Sequence, residues 1–180
     1  KKLTASSSAT LSFVDGADGV VLDDTYKEYV FTFKNMHPSS TSEFKFQGNV
    51  AGGSGFNETI TSTFFYAYHG ENGGSPTLTY NSGKDQAQGT AYQIISADGT
   101  GVDNDSNTSG YLHLFNPSST TFVKHFMARL SNTNGDGGST YMCDCYSAGY
   151  FNTTSAIDEI SFKFGSGNID AGDICLYGIA

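Results

Sequence analysis

The stretch Tyr26-Lys27-Glu28-Tyr29-Val30-Phe31-Thr32-Phe33-Lys34-Asn35-Met36 decides the fold class. Tyr29, Phe31 and Phe33 fall on one face, with Lys27, Glu28, Thr32 and Lys34 interleaved. That spacing is close to period two, which belongs to a half-buried β-strand. Working outward, Phe44-Lys45-Phe46 repeats the alternation and stops at the glycines of Gly52-Gly53-Ser54-Gly55. Thr59 to Tyr68 is a Thr, Ile, Phe and Tyr run of high β propensity ending at Gly70.

Turn clusters then follow at Asn72-Gly73-Gly74-Ser75-Pro76 and Asn81-Ser82-Gly83-Lys84-Asp85, around a short Leu78-Thr79-Tyr80 strand. Tyr92–Ile95 reads as another short strand before a polar loop from Asp98 to Gly110. Tyr111–Phe115 and Thr121–Leu130 read as a pair across the Asn116-Pro117-Ser118-Ser119 turn. Beyond the turn Asn134-Gly135-Asp136-Gly137-Gly138 come strands at Tyr141–Tyr150, Ile157–Phe164 and Ile174–Ile179. No segment has helical periodicity. Ser6-Ser7-Ser8 reads as part of a flexible lead-in over residues 1–10, and the final strand is expected to pair into a sheet.

Some nine or ten strands on one chain predict a single all-β domain over residues 1–180. The expected form is an antiparallel two-sheet β-sandwich, jelly-roll-like, because eight-stranded double Greek keys use this much chain. Fourteen Phe, 11 Tyr and 22 Gly, against 3 Pro and no Trp, suit short aromatic strands and tight turns.

Nine basic against 18 acidic residues give a net charge of −9, which repels phosphate backbones and argues against a nucleic-acid partner. No apolar stretch reaches 18 residues, so no membrane-spanning helix is expected. Lys1-Lys2-Leu3-Thr4 is too short in apolar length for a signal peptide, and the absence of Met at position 1 points to a processed or incomplete start.

Several blocks resemble proteins of marine tailed bacteriophage particles. They are Phe115–Phe126, Gly149–Asp158, Ser166–Gly172 and Leu176–Ile179, with Tyr26–Phe31 and Met36-His37-Pro38 earlier in the chain. The Cys143-Asp144-Cys145 segment departs from the pattern. The resemblance implies a virion structural protein on the particle exterior, as capsid decoration or in a fibre or tail appendage. It also implies other virion proteins as partners and a symmetric homo-oligomer, trimers being favoured at family level. It carries over no catalytic residue.

The residues that bear chemistry form few patterns. Cys143, Cys145 and Cys175 are either packing residues or include one disulfide to Cys175; the Cys-x-Cys spacing does not suit zinc. His113 and His125 sit on the two arms of the expected hairpin, either as a polar face or as two metal ligands lacking a third. Asp103, Asp105 and Asn107 alternate like the start of a calcium loop, with Asp98 as a further ligand. Thr108 and Leu114 stand where an EF-hand needs Gly and Glu, so no cofactor is expected unless an irregular loop holds calcium.

No Gly-x-Ser-x-Gly elbow or phosphate loop occurs, and no carboxylate pair sits in a context that raises a pKa, so a non-enzyme is expected. Tyr66, Tyr68, Tyr80 and Tyr92, with Tyr111 and Tyr150, exceed what a core requires and suit a surface for protein or sugar. A carbohydrate-binding module, or a receptor-binding tip for host surface glycan, is therefore the alternative function.

Overall fold

The computed structural model describes residues 1–74, 76–135 and 140–180. Thirteen strands and no helix form among the described residues. β1 (Lys2–Thr4), β2 (Leu11–Val14), β3 (Glu28–Pro38) and β4 (Phe44–Val50) come first. β5 (Ile60–Gly70), β6 (Thr77–Tyr80), β7 (Ala87–Gly89) and β8 (Gln93–Ile94) follow. β9 (Thr108–Phe115), β10 (Lys124–Asn134), β11 (Tyr141–Phe151), β12 (Ile157–Phe164) and β13 (Ile169–Ile179) complete the chain.

All pairings are antiparallel, and they make two sheets. The larger runs β1-β13-β3-β9-β10-β11-β5-β6, with β7 also beside β5; the smaller runs β2-β12-β4-β8. The quartets β1-β13-β3-β9 and β2-β12-β4-β8 have the strand order of an eight-stranded jelly roll. Two insertions interrupt it, β5–β7 between β4 and β8, and β10–β11 between β9 and β12. They are remote in sequence yet meet as the β11–β5 pair and continue the larger sheet past the smaller one.

The alternation that marks β3 in sequence is the burial pattern found: Tyr29, Phe31 and Phe33 face inward. Phe162 of β12 sits at the centre of the core, with the rings of Phe13, Phe31, Phe33, Phe44 and Phe46 around it at 5.2–6.3 Å. Because these neighbours come from both sheets, the rings fasten one sheet to the other. Under the extension, the irregular segment 95–107 takes over as the cover. Asn132 holds it from below, accepting from the Ala97 N–H (3.1 Å) and donating to the Ala97 carbonyl (3.0 Å).

The expected 111–115 and 121–130 pair forms as β9–β10, and β13 is paired on both sides. β13 begins at Ile169, earlier than the Ile174 expected, because irregular register at Ala171 absorbs the glycine-containing stretch into the pairing with β3. The lead-in over residues 1–10 is corrected: β1 pairs with β13, Ser8 bridges to Ile169, and Ala5 is buried. Three serines in a row carry no signal of that distant backbone partner.

β2 and β7 were not expected, being four and three residues long. The turns expected at 72–76 and 134–138 fall partly outside the described residues, at Ser75 and at Asp136-Gly137-Gly138. Among the described residues no helix is long and apolar enough to cross a membrane.

Candidate functional site

The inner face of the extension is filled, so its outer face is where side chains meet solvent. Strict alternation along β10, buried at Phe126, Ala128 and Leu130 and exposed at His125, Met127 and Arg129, fixes which residues point out. Register then aligns outward residues of neighbouring strands into rows. Tyr80, Phe65, Tyr146, Arg129 and Tyr111 are successive cross-strand partners over β6, β5, β11, β10 and β9. Phe65 stacks on Tyr146 with centroids 4.9 Å apart and planes 2° from parallel. The Arg129 guanidinium lies 4.9 Å from the same Tyr146 ring. β11 lies between β5 and β10, so both faces of Tyr146 are covered.

Arg129 also donates twice to Asp144, Nε to Oδ1 at 3.0 Å and Nη2 to Oδ2 at 2.9 Å, and the Tyr146 hydroxyl donates to Oδ2 at 3.1 Å. These bonds and the adjacent positive charge hold the Asp144 carboxyl below its ordinary range.

One residue pair along the strands, the next row is Thr63, Ala148, Met127 and His113. Its middle is low because Thr63 and Ala148 are short, and a shallow trough of about 490 Å³ opens there against Thr61, Phe115, His125 and Tyr150. Gly149 beneath it admits no side chain: a Cβ would lie 2.5 Å from the Thr61 carbonyl oxygen and 2.7 Å from Phe126 Cζ. Phe65 (40% exposed) and Met127 (57%) rise beside the trough. The outward charged residues of β9, β10, β11 and β5 are Arg129 and Asp144, which neutralise each other. At the border with β3, His113 Nδ1 pairs with the Glu28 carboxylate.

The tyrosines singled out in sequence do not gather into one surface. Tyr66 is a core residue, 7% exposed, with its hydroxyl donating to Asp98 Oδ2 at 3.1 Å. Burial and the Asp98 charge push that phenol up to about 12. Tyr68 is half-buried on the same inner side and packs on Tyr66 and Tyr141. Tyr92 lies apart, beneath Lys163. Tyr80, Tyr111 and Tyr150 do reach the outer face, and Tyr80 bonds to Asp85. Phe65, Tyr146, Phe115 and Met127 were missed. Their signal was present in the outward phase of each strand, but it identifies a surface only once the strand order is known.

The calcium set is not assembled. Asp98 faces Lys84 (Oδ1 to Nζ, 3.7 Å) and Tyr66, and Lys84 is 8% exposed and also pairs with Glu43 at 3.1 Å. An ammonium group already compensates that carboxylate. Asn107 lies in a separate recess with Asn35, His37, Asn104, Ser106 and Asp170. The Asp103 backbone carbonyl faces His37, and no trio of His, Cys, Asp or Glu able to hold a metal ion occurs among the described residues.

The disulfide reading is also corrected, since all three cysteines are free. Cys143 and Cys145 on β11 face inward, while Cys175 on β13 faces outward beside Thr32. Three strands separate β11 from β13, on the order of 19 Å, against about 7 Å for a disulfide's Cα atoms. Burial pushes the Cys143 thiol up to about 12 and the Cys145 thiol higher still, so neither is a nucleophile near neutral pH. His113 and His125 share a face without opposing each other: His113 is opposite Met127, and His125 packs on Tyr150.

The chain is thus an all-β jelly-roll sandwich whose larger sheet is extended by strands that carry aromatic side chains and the Arg129–Asp144 pair on their outer face. Comparison with protein-family models finds no match, and comparison with the curated proteins finds none either.

Proposed function

We propose that this protein is a structural component of the exterior of a bacteriophage particle, decorating the capsid or forming part of a fibre or tail appendage. It works by assembly with other virion proteins and with copies of itself, and carries no catalytic activity. The observation that supports this reading is the outer face of β9, β10, β11, β5 and β6. Several of its large apolar side chains are exposed, and its two opposite charges are already paired. Such a patch costs a free monomer exposed apolar surface and is what a protein interface buries.

The ring geometry favours protein over sugar along the main row. A sugar stacks on a free aromatic face, and both faces of Tyr146 are occupied, by Phe65 and Arg129. The decisive experiment is quantitative mass spectrometry of purified particles of a phage that encodes the chain. A copy number near that of the major capsid protein means head decoration, and a far smaller one means neck, tail or fibre. Absence from the particle overturns the proposal.

The trough favours one alternative, binding of an uncharged host glycan. Tyr150, His125, Thr61 and Thr63 border it and combine ring surface with polar groups. A glycan array probed with and without calcium tests this, and no signal in either condition removes it.

A further inference from the structure

We propose that the outer face of β9, β10, β11 and β5 is a two-fold contact between two copies of this chain, an inference that rests on the assembly reading above. Three features of the face support a second copy as its occupant: charge, area and relief.

Charge comes first. The chain carries −9, so two copies repel in most orientations. The Lys, Arg, Asp and Glu side chains that these four strands turn outward are Arg129 and Asp144, and those two cancel. Here two copies approach without bringing like charges together. A strongly basic partner would find its attraction elsewhere on the molecule.

Area is next. Four strands about 4.8 Å apart and roughly 30 Å long present a face of about 600 Å², before side-chain relief is added. Interfaces of stable complexes bury about 800 Å² per partner, which this face approaches once the relief of its side chains is counted.

Relief is the third. The ridge Phe65–Tyr146–Arg129–Tyr111 runs beside the low row Thr63–Ala148, and Tyr150, His125 and Phe115 rise on the other side. Rows two residues apart along a strand are about 7 Å apart, and stacked sheets interdigitate at about 10 Å. A two-fold axis lying in the contact plane, parallel to the two rows and midway between them, seats the ridge of each copy against the low row of the other, and the fit is reciprocal. Met127 closes the end of the low row, and its flexible thioether adapts to the facing ring. A three-fold assembly would need two different surfaces in contact, and this face supplies one that complements itself.

Sedimentation velocity on the full chain, from about 1 to 100 μM, is the test. The expected species has twice the 19.1 kDa chain mass, and the dimer strengthens with added salt as the remaining negative charge is screened. Met127→Glu, at an exposed position, raises the dissociation constant at least about tenfold, because a carboxylate is buried unpaired. Ala148→Glu does the same from the floor of the trough. Val102→Glu, on the segment that covers the inner side, leaves the mass unchanged.

A monomer at every concentration, from a protein that is nonetheless found in particles, overturns this inference and leaves the assembly reading standing. A protein absent from particles overturns the assembly reading. A dimer indifferent to Met127→Glu and Ala148→Glu overturns the assignment of the face, and a trimer mass overturns the two-fold.

Discussion

Replacing Phe162 by alanine removes the ring at which the two sheets meet. Phe162 is fully buried, and five other phenylalanine rings surround it at 5.2–6.3 Å. Truncating a buried Phe costs about 3–5 kcal/mol, the spread reflecting how far the neighbours collapse into the void. Here collapse is hindered, since Phe31 and Phe33 hang from one sheet and Phe13, Phe44 and Phe46 from the other. Moving either set inward shifts a whole hydrogen-bonded strand, and edge-to-face contacts worth about 0.5–1.5 kcal/mol each are lost as well.

The loss therefore falls in the upper half of the range, about 4 kcal/mol. Urea unfolding followed by circular dichroism reads it directly. With a slope of about 2 kcal/mol per molar, the midpoint of Phe162→Ala drops by about 2 M. Phe122→Ala provides the comparison: Phe122 is 69% exposed, and its truncation changes stability by no more than about 0.5 kcal/mol. A midpoint for Phe162→Ala within about 0.5 M of wild type, or equal to that of Phe122→Ala, would refute the account of the core.

Asn132→Ala strips both partners from the buried Ala97 N–H and carbonyl and costs about 2–4 kcal/mol, with faster amide exchange at Ala97 as its local signature. Thiol titration finds three reactive cysteines in denaturant, while Cys143 and Cys145 stay unmodified in the native protein at mildly alkaline pH. Detection of a single thiol after unfolding would mean a disulfide and contradict the strand order.

Stability also falls in acid. Arg129 lowers the Asp144 carboxyl; burial raises Glu43, but the hydrogen bond and charge of Lys84 outweigh it and leave that group lowered too. Both bind fewer protons folded than unfolded, so their stabilisation is full above the ordinary values of 3.8 and 4.5 and is lost as pH drops through the lower folded values. Calorimetry should show the melting temperature declining over that window, and Asp144→Asn should flatten the decline. An unchanged slope in the variant would show that the Arg129 pair is not formed in solution.

The sequence by itself determined the class of the fold and nearly every strand of useful length. Residues 29, 31 and 33 alternate because a pleated strand turns successive side chains to opposite faces, and that relation is written locally. Glycine and asparagine clusters ended the strands for an equally local reason. The same alternation said that Phe65, Tyr111, Met127, Arg129 and Tyr146 share the phase opposite to their buried neighbours.

What it did not contain was which strands lie side by side. β5 meets β11 across some eighty residues of chain, and β1 meets β13 across nearly its whole length. Those partners are chosen by how the total core packs, because the backbone hydrogen bonds of an antiparallel ladder are the same whichever two strands make it. Hence Tyr66 and Tyr68, which resemble Tyr80 and Tyr111 in sequence, turn inward toward Asp98. Cys175 is likewise removed from Cys143 and Cys145 by three intervening strands. The Tyr80–Phe65–Tyr146–Arg129–Tyr111 row exists only when five strands are aligned, and that alignment belongs to the tertiary structure alone.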